Sequence, residues 1–156
     1  MKNLFLLIFF AGLTVSVSGQ TVQMVHDSQD IQALLDNMAK TWNLHDAAAF
    51  SMAFSEDADF TNVDAMSAYG RDSIEKFHKK TFASWFKKSS LKITGKKIRY
   101  ITGDIIEVDA WWEMTGAQAP NGRDIPLSKG LINLVMTRSG EKWLILIMHN
   151  MDLPLS

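Results

Sequence analysis

The sequence predicts an α+β fold, with helices in the first half and an antiparallel sheet in the second. Two observations carry this. Apolar residues recur at helical spacing up to about residue 85, and from about residue 97 the pattern changes to strand-like alternation broken by hairpin turns.

The elements follow in chain order. Ile31, Leu34, Leu35, Met38 and Trp42 share a helical stripe, so residues 28–44 read as an amphipathic helix with Ser28 or Asp30 near its start. Asp46 is suited to cap the N-terminus of a short second helix, "AAAFSMAF" (47–54), with Phe50 and Phe54 on one side. "ADFTNV" (58–63) has β character. Beyond Gly70, Asp72 is placed to cap a third helix whose Ile74, Phe77, His78, Thr81, Phe82 and Trp85 again fall on one stripe. "KIRYI" (97–101), the turn "TGD" and "IIEVDAWWEM" (105–114) form a hairpin. In its longer arm Ile106, Val108, Ala110, Trp112 and Met114 are apolar, while the alternate set from Ile105 to Glu113 is mixed, as in a strand with one face on a core. Trp112 therefore belongs to the core and Trp111 to the outer face. Residues 116–128 read as a loop, and "GLINLVMT" and "WLILIMHN", joined by "RSGEK", form a last hairpin.

The opening "MKNLFLLIFFAGLTVSVSGQ" combines a basic residue, an apolar run and a small-residue exit, which is the layout of a secretory leader. The run is shorter than the roughly 20 residues that span a bilayer. We expect cleavage near Gly19, export to the periplasm or medium, and one domain over residues 20–156, with no membrane association after cleavage. Loss of Lys2 with the leader leaves 15 basic and 17 acidic side chains, a net charge of −2, which gives nucleic acid no basic surface. The chain contains no cysteine, so the domain must hold without disulfides.

The ordered set "WNLHDAAAFSMAFSEDADFTNV", "YGRDSIEKFHKKTF", "WWEMTG" and "KWLILIMHN" resembles the SnoaL-like proteins of the nuclear-transport-factor-2-like superfamily, with the SgcJ/EcaC type as the nearest subgroup. The resemblance covers about residues 27–152. It implies a cone-shaped α+β domain with three N-terminal helices packed on a strongly curved antiparallel sheet. It also implies a pocket between the layers and a homodimer formed through the outer sheet face. Ketosteroid isomerase resembles the same segment. Its catalytic carboxylate falls on Asn62 and its oxyanion-hole tyrosine near Met38. Asparagine takes no proton at neutral pH and methionine donates no hydrogen bond, so that enzyme's route is closed.

Most acids have structural explanations: Asp46 as a cap, Glu56 and Asp57 at a turn, Asp59 pointing outward. His78 stands on the apolar stripe of the third helix, and His149 is expected to share a strand face with Trp143, Ile145 and Ile147. These two histidines are the candidate acid–base groups. Asn62, Phe60, Trp42 and Trp112 are the candidate ligand-binding residues, because their elements converge on the expected pocket. The four histidines are scattered, and no metal-ligand, nucleophile-elbow or nucleotide-cradle motif occurs, so neither metal nor cofactor is expected. The functional expectation is an exported binding domain for a hydrophobic or aromatic small molecule. The alternatives are an isomerase, cyclase or hydratase using His78 or His149, and a dimerisation module with a vestigial pocket.

Overall fold

The computed structural model describes residues 17–119 and 121–154. The expected leader falls almost wholly on residues 1–16, outside the described residues. Helix α1 spans Val17–Asn43, beginning well before Ser28. Its buried stripe runs Asp27, Ile31, Leu35, Met38 and Trp42, at spacings of three and four residues. His45, at a left-handed φ of 53°, turns the chain into α2 (Ala47–Ser51), and the Asp46 carboxylate caps that helix by accepting the Ala49 N–H at 2.9 Å.

The second helix is shorter than its sequence suggests. Phe54 already belongs to strand β1 (Phe54–Thr61), so Glu56 and Asp57 lie in a strand and not at a turn. Strand β2 (Ser67–Tyr69) folds back on β1, and α3 (Arg71–Phe82) follows. Gly70, at φ 79°, is the N-cap of α3; Asp72 sits in the first turn and makes no capping bond. Trp85 lies beyond the end of α3.

Strands β3 (Ser90–Tyr100) and β4 (Ile105–Thr115) form the first long hairpin. The following segment is not a plain loop, because β5 (Ala117–Gln118) pairs with β6 (Asp124–Ile125). Strands β7 (Ser128–Ser139) and β8 (Lys142–Leu153) close the chain. The main sheet has the order β2-β1-β8-β7-β4-β3. It is mixed: β1 runs parallel to β8, which corrects the expectation of an antiparallel sheet. The reason is topological. After β2, the chain passes through α3 and three further strands of the main sheet, β3, β4 and β7, before β8 returns beside β1 in the same direction.

Register shifts interrupt the β1–β8, β3–β4 and β7–β8 ladders, and such bulges bend and twist a sheet. One face of the sheet packs against the helices through Ile106, Val108, Ala110, Trp112, Ile132, Leu134, Met136, Trp143, Ile145 and Met148, all buried. Trp112 is 3% exposed and Trp111 37%, as the alternation in β4 requires.

Candidate functional site

A cavity of about 310 Å³ opens between α3 and the inner face of the sheet. Its walls are largely aromatic: Trp42 from α1, Phe60 from β1, Phe77 from α3, Trp85 and Phe86 from the turn after α3, and Trp112 from β4.

Hydrogen bonds hold three parts of the wall. Trp42 Nε1 donates to Ser89 Oγ at 3.0 Å, and Ser89 in turn donates to the Phe86 carbonyl at 2.9 Å. The strand–loop wall is tied down where Gln118 N–H donates to the Trp85 carbonyl at 2.8 Å. Trp112 lies over Gly130, its cross-strand partner on β7, and its Nε1 donates to Asn150 Oδ1 at 2.8 Å. A Cβ at position 130 would fall inside the indole and against the Met151 carbonyl, so the glycine is what lets this ring lie flat.

His78 is 2% exposed and surrounded by the rings of Trp42, Phe50, Phe60, Phe77 and Phe82. Its Nδ1 lies 2.8 Å from the Ile74 carbonyl. A carbonyl oxygen only accepts, so Nδ1 carries the hydrogen and Nε2 presents a lone pair. Among the described residues Nε2 has no hydrogen-bond partner, and the side chain lines the cavity. Burial lowers the His78 pKa to about 4, against a smaller opposing effect of the Ile74 carbonyl. At neutral pH His78 is therefore a neutral acceptor, not an acid.

Asn62 also lines the cavity, but its carbonyl is committed. Oδ1 accepts the backbone N–H groups of Asp64 at 3.0 Å and Met66 at 2.8 Å, fixing the turn between β1 and β2. Asn62 thus offers only its amide hydrogens, and Asn150, whose Oδ1 is taken by Trp112, is in the same position. Asp64 and Asp152 complete the polar rim. Burial and then the charge of Asp64 raise the Asp152 carboxyl above its ordinary value.

The structure brings together Trp42, Phe60, Asn62, His78 and Trp112. It leaves out His149, which is exposed on the opposite face of the sheet, and so corrects the expectation that this histidine faces the pocket. The cause is a bulge. Val135 pairs with Ile147 and Met136 with Ile145, so Leu146 has no partner and the facing of β8 inverts beyond it. Trp143 and Ile145 point inward before the bulge; Met148, Asn150 and Asp152 line the cavity after it. Sequence reasoning missed Asn150 and Asp152 for this reason. Phe77, expected to be core, is part-buried and lines the cavity. Among the described residues no cluster of three histidines or carboxylates is arranged to hold a metal ion.

An α+β domain with a mixed six-stranded sheet, N-terminal helices and an aromatic cavity between them defines a class. Residues 31–150 match the SnoaL-like domain, and the chain belongs to that family. No curated protein matches the chain. Among solved structures it is similar to an uncharacterised protein with a cystatin-like fold from Caulobacter vibrioides, at 23% identity and TM-score 0.75 over 81% of this chain and 89% of the other. A protein of unknown function from Shewanella oneidensis described as NTF-2 like gives 21% identity and TM-score 0.67, over 81% and 99% of the two chains. A proposed scytalone dehydratase from Novosphingobium aromaticivorans gives 12% and 0.73, over 86% and 89%. At these identities the likeness defines the fold.

Proposed function

We propose that this protein is an exported small-molecule-binding domain whose ligand is a hydrophobic or aromatic compound seated in the cavity. The observation that carries this reading is the 310 Å³ aromatic-walled space lined by His78, a buried residue whose Nε2 has no hydrogen-bond partner among the described residues. A cavity of this size is in the range of ligand sites, and a few polar groups in apolar walls are what orient a small molecule. A dimerisation module with a vestigial pocket would have side chains filling that space. Native mass spectrometry of the protein purified from its own host tests the reading: a bound aromatic compound, displaced when Trp112 or Phe77 is replaced, is the expected result. Ligand-free protein that also fails to bind any member of a panel of aromatic compounds overturns it.

The second reading is a lyase- or isomerase-type enzyme, supported by the proposed dehydratase among the structures sharing the fold. In it His78 Nε2 is the sole histidine base available to the cavity. Its pKa of about 4 makes it a weak base, suited only to a substrate with an acidic C–H or O–H. Turnover of such a substrate, abolished in His78→Gln with binding retained, would move the protein into this class. Export is tested separately: N-terminal sequencing of mature material is expected to begin at Gln20 or Gly19, and a terminus retaining Lys2 contradicts it.

A further inference from the structure

The charge distribution around the cavity narrows the ligand class, and this step rests on the reading of the cavity as a ligand site. Asp64, in the turn after β1, and Asp152, near the end of β8, both stand at its rim and are both exposed to solvent. Neither carboxylate forms an ion pair or accepts a hydrogen bond among the described residues. They are close enough for the charge of Asp64 to act on Asp152. No lysine or arginine is among the described residues lining the cavity. Two uncompensated negative charges therefore sit where a ligand enters.

The walls add to this. Trp42, Trp85 and Trp112 with Phe60, Phe77 and Phe86 present π-systems, whose faces are negative and attract cations. His78 supplies the second, independent signal. It is 2% exposed, and its unpaired Nε2 is an acceptor awaiting a donor. An organic anion would meet repulsion at the rim and no donor at His78. A cation meets attraction at the rim and along the aromatic walls.

We propose that the cavity takes an aryl-alkyl amine, with its ammonium group at Asp64 and Asp152 and a ring hydroxyl donating to His78 Nε2. The rings of Trp42, Phe60 and Trp112 then enclose the ligand's own aromatic ring.

Three compounds with a common phenol ring test this: tyramine, its alcohol counterpart tyrosol, and the corresponding phenolic propionate. Calorimetric titration of the intact mature protein is expected to show tyramine binding about tenfold more tightly than tyrosol, with the propionate weakest. That preference should shrink as salt is raised. In Asp64→Asn/Asp152→Asn, tyramine should fall to the tyrosol value while tyrosol is unaffected, which also shows that the variant is folded. Should the double variant not fold, the two single variants are measured in its place. Tyrosol or the propionate binding as tightly as tyramine to the wild type overturns the cation preference and leaves the cavity reading standing. A tyramine preference that survives neutralisation of both carboxylates overturns their role. Failure of all three compounds to bind overturns the amine assignment, and the cavity reading then stands or falls on the native mass spectrometry and the wider aromatic panel.

Discussion

At the scale of residues, His78 shows how environment sets chemistry. The side chain is a potential proton shuttle in water, yet five aromatic rings and a backbone carbonyl make it a neutral hydrogen-bond acceptor. The depressed value has a consequence for stability. Above the ordinary value near 6.5 the folded and unfolded states are both neutral at this site. As pH falls from there toward about 4, the unfolded chain takes a proton that the folded chain refuses, so stability is lost across that window. The loss should approach roughly 3 kcal/mol at its lower end. Urea denaturation between pH 7 and pH 4.5 should give a steeper decline for the wild type than for His78→Leu. Parallel curves would show that His78 is not held neutral by burial. Asn62 teaches the complementary lesson: the residue that the sequence resemblance to ketosteroid isomerase sets at the place of a catalytic carboxylate is here the keystone of a turn.

At the scale of elements, two joints decide the shape of the site. The first is the β4–β7 crossing, where Gly130 accommodates the indole of Trp112. Gly130→Ala should cost about 1–3 kcal/mol, because backbone blocks one side and a ring the other. The same variant should bind ligand differently, since Trp112 must move, so melting temperature and affinity measured together check it. An unchanged melting temperature would mean that the ring has room to spare. The second joint fastens α1 to the final hairpin. Asp27, 3% exposed, accepts hydrogen bonds from Gln23, Arg138 and Trp143, and Arg138 also lies over the Trp143 ring at 4.4 Å. Burial pushes the Asp27 carboxyl up, but its three hydrogen bonds and the Arg138 charge hold it below the ordinary value. Asp27→Ala strips a half-buried arginine of its partner and should destabilise by about 3 kcal/mol. Denaturant titration showing under 0.5 kcal/mol would mean that α1 is held by its apolar stripe alone.

At the scale of the whole molecule, the outer sheet face is the surface most in need of a partner. Trp111 faces Leu131 across the strands and Leu131 faces Met151, forming an apolar row in which Trp111 and Met151 are 37% and 43% exposed. Val135 and Ile147 pair further along the same face. Beside this row Asn133 donates to both Glu107 and Asp109, and exposed His149 pairs with Asn133, so polar groups border the apolar ones as in a protein interface. We propose a two-fold homodimer through this face. Sedimentation at micromolar concentration should give a dimer for the wild type and a monomer for Trp111→Glu, with the fold unchanged by circular dichroism. A monomeric wild type removes the proposal.

The order of the helices and of the longer strands, the inward and outward tryptophans of β4, and the Asp46 cap were legible in the sequence. Each depends on neighbours within a few residues, through helical spacing, alternation or a free backbone N–H. The placement of His78 was legible too, because a stripe within one helix has a fixed phase. What the tertiary structure alone decided lies where strands meet. Parallel pairing of β1 with β8 joins residues some ninety positions apart, and the unpaired Leu146 inverts the facing of everything beyond it. That single inserted residue sends His149 outward and brings Asn150 and Asp152 to the cavity. Alternation read along one strand carries no record of a bulge, since the partner strand creates it.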